Sequence, residues 1–411
     1  MSRTVVLLGT LDTKGEEYTF IRAVLQERGL DTILIDVSCK DADHGYAADY
    51  PCNQVAEEGG HRFAQVATGV RRTAQPIMIE GASLILKKLQ TEGKLNGIIA
   101  IGGSNGTSIA SAVMRRLPLG LPKLIVSTMG SGNVGEYMGS KDIAMMYSVT
   151  DVVLSRLTRK IFANAAAAIA GMAEGEVSPE EEPKPMLGMT MYGLTQPCVF
   201  AARKLLEEHG YEVVIFHGSS GSANMEELTE EGTFDGVLDF TTTAITDKLV
   251  GGNATARCER LRAAGERGIP QVVSTGAIDM VNFSAPETVP EQWQHRLFFR
   301  YNPQVTLMRA NEEENKALGT LFAQRLNRAK GPTTLIVPLR GFSDLDRDGG
   351  PMGTTLDGTP VRPWYYPEAN RAFVQAVKSN LTRGKLVEVD AHINDPDFAQ
   401  AAVQVFLRLA V

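Results

Sequence analysis

The stretch VVLLGTLDTKGEE, residues 5–17, places two threonines, an aspartate and a lysine between two glycines directly after an apolar run. Gly9 and Gly15 permit close backbone approach, and Thr10 and Thr13 offer hydroxyls. Lys14 offers a movable cation for phosphate, while Asp12 is suited to orienting that lysine or holding Mg2+ through water. Two further small-residue stretches follow apolar runs. One is GGSNGT, comprising Gly102, Gly103, Ser104, Asn105, Gly106 and Thr107; the other is TMGSGN, with Thr128, Gly130, Ser131 and Gly132. Placed beyond the carboxyl ends of parallel strands, such loops present backbone N–H groups and helix N-termini, which favour anions. Asp36, near the end of the second apolar run, stands where Rossmann-like sites recognise ribose hydroxyls.

None of these loops is a Walker A sequence, because Lys14 follows no GxxxxG, and GGSNG lacks the GxGxxG spacing. A structural reading exists for each: glycines for tight turns, a solvated Lys14, and Asp36 capping the next turn. Three such loops in one domain favour an anion or nucleotide site.

The elements that must carry these loops follow from the apolar pattern. Thr4–Leu8 reads as a strand, Gly9–Gly15 as a loop, Glu16–Arg28 as a helix stopped by Gly29, and Thr32–Val37 as a second strand. Both strands are too uniformly apolar to leave one face in water, so this is a βαβ unit of a buried parallel sheet. Gly97–Ile101 reads as a strand, Ser108–Arg116 as a helix, and LIVST after Pro122 as another strand. Asp151–Met172, with its alanine run, reads as one long helix. EGEVSPEEEPKP, residues 174–185, offers nothing to pack and reads as a linker.

Beyond it the pattern restarts. Aligning Gly29 with Gly210 sets Asp36 opposite His217 and Lys14 opposite Thr195; GIIAIGGSNGT recurs as GVLDFTTTAIT, and Pro122 with LIVST as Pro270 with QVVST. The expected fold is α/β: two Rossmann-like domains with parallel sheets, related by internal duplication, over residues 1–180 and 186–411. The second domain's loops carry acid/base groups in place of a phosphate cradle. His217 and Asp239 are candidate proton-transfer groups, Asp279 and Asn282 follow a strand, and Arg309 or Arg340 would hold a carboxylate or phosphate. His217 reads equally as a hydrogen-bonded strand-end histidine, and Arg309 leans to a structural ion pair. Asp344, Asp346 and Asp348 resemble the start of a calcium loop, but Thr355 stands at the twelfth position, so the segment reads as a solvated loop. It continues through residues 349–370, long enough for a lid or an oligomer contact.

Bulk composition narrows the function classes. A chain of 411 residues with 43% apolar and 22% charged residues is an ordinary globular protein. Its net charge of -7, without a basic cluster, gives no footprint for nucleic acid or an anionic membrane. Four scattered cysteines read as reduced thiols, and no run reaches the roughly eighteen apolar residues of a membrane span, so a cytoplasmic protein is expected. Six dispersed histidines with no HxH or HExxH argue against a zinc site, and no metal-ligand set is assigned.

With LGTLDTKGEE, IGGSNGT, NAAAAIAGM, LDFTTTAITDKLVGG, STGAIDMVNF and NPQVTLMR in view, the chain resembles the Tm-one-like ATP-binding domain family over essentially its whole length. That group includes the nucleotide-binding half of a plant virus-resistance protein. The resemblance implies two Rossmann-like domains, ATP binding and a homodimer. By position it carries the nucleotide site onto Gly9, Thr10, Asp12, Thr13 and Lys14, with the Gly102–Thr107 and Thr128–Gly132 loops beside them. The chain departs from the family pattern at Tyr301, where a histidine is usual before Asn-Pro-Gln-Val-Thr. It departs again in the Gly218–Asn224 loop, GSSGSAN in place of Ala-Thr-Gly-x-Gly-Gly. The expected function is an ATP- and Mg2+-binding enzyme acting on a small anionic metabolite in a cleft between the domains. The alternatives are a nucleotide sensor that presents a surface to a protein partner, and an isomerase or hydrolase for which ATP is only regulatory.

Overall fold

A computed structural model describes residues 3–40, 42–68, 70–175 and 183–410. The chain divides into two compact units, Met1–Pro179 and Glu180–Val411. Within the stretch read as a linker, residues 176–182 lie outside the described residues.

The first unit runs β1 (Thr4–Gly9), α1 (Leu11–Glu27), β2 (Asp31–Asp36), α2 (Cys52–Glu58), α3 (Phe63–Thr68), α4 (Arg71–Thr91), β3 (Gly97–Gly102), α5 (Ser104–Met114), β4 (Lys123–Ser127), α6 (Gly135–Met138), β5 (Ala144–Tyr147) and α7 (Arg156–Glu174). Its sheet is parallel throughout, in the order β2-β1-β3-β4-β5. Every residue of β1, β3 and β4 is buried, as a sheet covered on both faces demands. Alternate side chains feed two cores: Val6, Ile98 and Ile125 meet Leu86 of α4 and Ile109 of α5, while Leu7, Ile99 and Val126 meet Ile21 of α1 and Phe162 of α7.

Three helix starts differ from the sequence reading. α1 begins at Leu11, because the N–H groups of Thr13 and Lys14 both turn back to the Thr10 carbonyl; the turn then kinks at Lys14, at φ -134° and ψ 24°. α5 begins at Ser104, so SNG of the small-residue stretch is its first turn. α7 begins at Arg156 because Ser155 and Thr158 form a reciprocal capping box. The stop at Gly29 holds, with the left-handed φ of +82° that glycine tolerates.

The second unit runs β6 (Met186–Met191), α8 (Gln196–Glu208), β7 (Glu212–His217), α9 (Ser222–Glu231), β8 (Gly236–Thr241), α10 (Thr243–Val250), α11 (Ala263–Arg267), β9 (Gln271–Gly276), β10 (Met280–Phe283), β11 (Phe298–Asn302), β12 (Val305–Arg309), α12 (Glu312–Leu326), β13 (Thr333–Pro338), β14 (Met352–Thr354), β15 (Pro360–Pro363), α13 (Pro367–Asn380), β16 (Lys385–Val389) and α14 (Pro396–Leu409). Its parallel sheet, β7-β6-β8-β9-β13-β16, repeats the first unit's order strand for strand and adds β16. The detail repeats too. β1 and β3 share register from Val5↔Gly97 to Leu7↔Ile99, and β6 and β8 from Leu187↔Gly236 to Met189↔Leu238. Gly210 ends its helix at φ +86°, as Gly29 does. The fold is thus two α/β domains with parallel sheets whose matching order and register support the duplication.

The second unit also holds what the sequence reading lacked, a five-stranded antiparallel sheet in the order β10-β12-β11-β14-β15. Residues 349–370, read as a long loop, form the β14–β15 hairpin and send fully buried Trp364 into the core. The neighbouring aspartate segment is not simply solvated either: Asp346 is fully buried. At the sheet's edge β15 is exposed along its length, with prolines at both ends.

Phe162 packs α7 onto the first sheet with no exposed surface. Phe162→Ala is expected to destabilise that unit by about 3–5 kcal/mol. The midpoint of urea unfolding checks this, and a shift worth under about 1 kcal/mol would place α7 outside the core.

Candidate functional site

The chain order reverses between β1 and β3, the point where open α/β sheets bind ligands. Register shows the strands parting there. β1 stays paired with β2 up to Gly9↔Asp36, and β3 with β4 up to Gly102↔Ser127, whereas β1 and β3 separate beyond Leu7↔Ile99. Tyr18 of α1 spans the gap. Its hydroxyl accepts from the Ile101 N–H at 2.8 Å and donates to the Leu8 carbonyl at 2.5 Å. A Cβ on Gly9 would lie 2.0 Å from this ring, so Gly9 is required by Tyr18 and not by ligand approach.

Above the gap lies a cavity of about 630 Å3. Thr10, Asp12, Thr13 and Lys14 line one side, and Gly102, Gly103, Ser104, Asn105 and Gly106 another. The first-turn N–H groups of α5 have no intrahelical acceptor, and Gly103 at the N-cap brings no side chain to cover them. The Thr10 and Thr13 hydroxyls lie 3.1 Å apart, and the Gln75 amide donates to Asn105 Oδ1. Burial, and then the neighbouring Asp36 charge, push the Asp12 carboxyl above its ordinary value, and a cation beside it would act in the opposite direction. The sequence reading missed Cys39, Lys40, Gln75 and Asp151 on this wall. Cys39 and Lys40 follow the end of β2, a position that itself pointed to the site; Gln75 and Asp151 carry no local signal.

Other expected residues are placed differently. Asp36 is 1% exposed and lies beneath the loop: Oδ1 accepts from the N–H groups of Leu11 and Ser38 and from the Ser38 hydroxyl, and Oδ2 faces His44 Nε2 at 2.9 Å. It therefore shapes the wall and does not meet a ribose. Thr107 is buried, its hydroxyl 2.6 Å from that of Ser127. Thr128, Gly130, Ser131 and Gly132 belong to a tight turn after β4 that Ser127 caps, outside the cavity lining.

In the second unit three of the four expected catalytic groups are consumed by the fold. Asp239 accepts from the Thr190 hydroxyl at 2.6 Å and is clasped by the Arg260 guanidinium, which also holds Glu226; all three are buried. Asp279 is fully buried: its Oδ2 accepts from the Trp364 indole N–H at 2.8 Å and from the Ser343 hydroxyl, while its Oδ1 has no partner among the described residues and no access to solvent. Arg309 donates to the carbonyls of Trp364, Asp279 and Ala310 and to Asp346 and Asn370, which leaves its guanidinium no donor for a substrate. His217 alone of the four is exposed, at the end of β7. Ser219 Oγ lies 2.8 Å from its Nδ1, Tyr192 packs edge-on at 5.3 Å, and partial burial holds its pKa below the ordinary histidine value. The Tyr192 hydroxyl donates to Asn282 Oδ1 at 2.9 Å, and Asn282 Nδ2 donates to Asp247 at 2.7 Å. Neither Tyr192 nor Asp247 was singled out from the sequence.

Residues 3–178 match the N-terminal domain, and residues 184–410 the C-terminal domain, of an uncharacterised protein family, UPF0261. The chain belongs to this family. A UPF0261 protein of Clostridium tetani is 41% identical over 414 residues, covering 100% of this chain and 99% of that one. The tomato ToMV resistance protein Tm-1 is 34% identical over 438 residues, covering 100% of this chain but 56% of its own. Among solved structures, a UDP-GlcNAc 2-epimerase from Methanocaldococcus jannaschii aligns over 93% of each chain at 9% identity with a TM-score of 0.21, too low to carry an argument. Among the described residues no helix is long and apolar enough to cross a membrane.

Asp247 yields a pH test. Burial pushes its pKa up to about 6 from 3.8, so the native state holds this proton where the unfolded chain has released it. Stability from this group is therefore greatest below pH 3.8 and declines as pH rises towards about 6, by at most about 1.4 kcal/mol per unit. The margin of wild type over Asp247→Asn should shrink across that window in urea titrations; a pH-independent margin would contradict the assignment.

Proposed function

We propose that the first unit binds ATP as its Mg2+ complex in the cavity at the β1/β3 switch point. One observation carries the reading: uncovered α5 amides, the Lys14 ammonium and the Thr10 and Thr13 hydroxyls converge on a single space of about 630 Å3. That volume lies within the roughly 300–1,000 Å3 of small-molecule sites. The phosphates would rest on the α5 N-terminus, Lys14 and Lys40 would offset their charge, and Asp12 and Asp151 would hold the hydration shell of Mg2+. The resemblance to the Tm-one-like ATP-binding domain family agrees with this.

We read the protein further as an enzyme on a small anionic metabolite, working by positioning and charge neutralisation, with His217 as the remaining proton-transfer group and with homodimeric association. One observation favours the second reading, a nucleotide sensor without turnover: Asp239, Asp279 and Arg309 are engaged inside the fold.

Titration calorimetry with MgATP should show binding, and Lys14→Ala should weaken it about 10- to 100-fold, as expected for one charge-assisted contact. The absence of heat from wild type would remove the nucleotide reading. ADP or AMP release with a panel of carboxylates and sugar acids supports the enzyme; saturable binding without release supports the sensor.

A further inference from the structure

Among the described residues of the connection between β2 and α2, positions 37–51, one isolated bridge occurs, from Tyr50 to Ile35. Connections beyond about 12–15 residues without regular structure are uncommon and are usually functional or linker segments. Three side chains meet beneath this one: Asp36 at the end of β2, His44 within the loop and Cys52 at the start of α2. One ligand atom from each lies within 4.8 Å of the other two. Asp36 and Cys52 are 1% exposed and the His44 side chain 7%. The carboxylate is already oriented: Leu11 and Ser38 hold Oδ1, which turns Oδ2 towards His44 Nε2 at 2.9 Å.

We propose that Asp36, His44 and Cys52 form a zinc site that staples this loop against the first sheet. A carboxylate oxygen, an imidazole nitrogen and a thiolate sulfur form a donor set for zinc, whereas Mg2+ and Ca2+ take oxygen ligands throughout. Binding releases the Cys52 proton to solvent, and a water completes four-coordination. Coordination through Nε2 leaves the imidazole proton on Nδ1. The Tyr46 N–H that donates to Nδ1 at 3.2 Å would have to give up that hydrogen bond on metal binding. Because Ser38 touches Asp36 and is followed by Cys39 and Lys40, the metal would fix the cavity wall that carries Lys40. Spacings of eight residues between these ligands match no metal motif, which is why histidine spacing in the sequence gave no sign of the site.

Cobalt titration of chelator-treated, reduced full-length protein tests this without any nucleotide. One Co2+ per chain should bind with a thiolate-to-cobalt charge-transfer band that Zn2+ abolishes by displacement. Cys52→Ser should lose the band, and Cys39→Ser, changing the other nearby thiol, should keep it. His44→Gln, in the loop, should keep the fold by circular dichroism and weaken Co2+ binding by at least about tenfold, which guards against misreading a Cys52 variant that fails to fold. No band in wild type, a band surviving in Cys52→Ser, a band lost in Cys39→Ser, or full affinity in His44→Gln would each overturn the proposal. The two readings fail separately: cobalt results leave MgATP calorimetry of wild type unaffected.

Discussion

The first unit depends on how the gap between its two central strands is bridged. Parallel strands that part at a reversal of chain order leave backbone groups without ladder partners, and buried polar groups need partners. In β1 and β3 the Leu8 carbonyl and the Ile101 N–H find theirs in one tyrosine hydroxyl. The Tyr18 ring then requires Gly9 to be a glycine and sets the floor on which the Thr10–Lys14 turn is built. A phenylalanine would keep the packing and orphan both backbone groups.

The duplicated unit meets the same geometry with different side chains. β6 and β8 part after three register pairs, and threonines close the space: Thr190 accepts from the Thr241 N–H at 2.8 Å, and the Thr195 and Thr241 hydroxyls lie 2.8 Å apart. Nearby, Arg260 holds Asp239 and Glu226 in full burial, an arrangement in which loss of one member strands the others' charge. Charged residues at strand ends thus do opposite jobs in the two units. In the first, Asp12, Lys14 and Lys40 face a cavity while Asp36 lies inside; in the second most are inside.

That contrast sets what was legible in the amino-acid order. Continuous Val, Ile and Leu runs announced the parallel strands, and Gly29 and Gly210 announced helix ends, because these depend on local sterics and burial. The first turn of α5 was hidden because Ser104, Asn105 and Gly106 are as much loop residues as helix starters. The antiparallel sheet was hidden because its strands are short and its hairpin is rich in glycine and proline. Arg309, Asp239 and Asp279 show the deeper limit: residue type signals chemistry, but whether a guanidinium or carboxylate stays within reach of a ligand is decided by burial and by partners such as Trp364, Asp346 and Arg260, far away in the chain. Gln75 and Asp151 join the cavity by the same long-range route.

The exposed edge of the antiparallel sheet has its own consequence. β15 reads PVRP, so two of its four residues have no amide hydrogen, and Arg362 adds a charge stacked 4.3 Å from the Tyr366 ring. A strand approaching from outside would find few donors and a cation to desolvate, which is how natural sheets discourage uncontrolled lengthening. Lengthening of this sheet by an added strand is therefore disfavoured at the β15 margin.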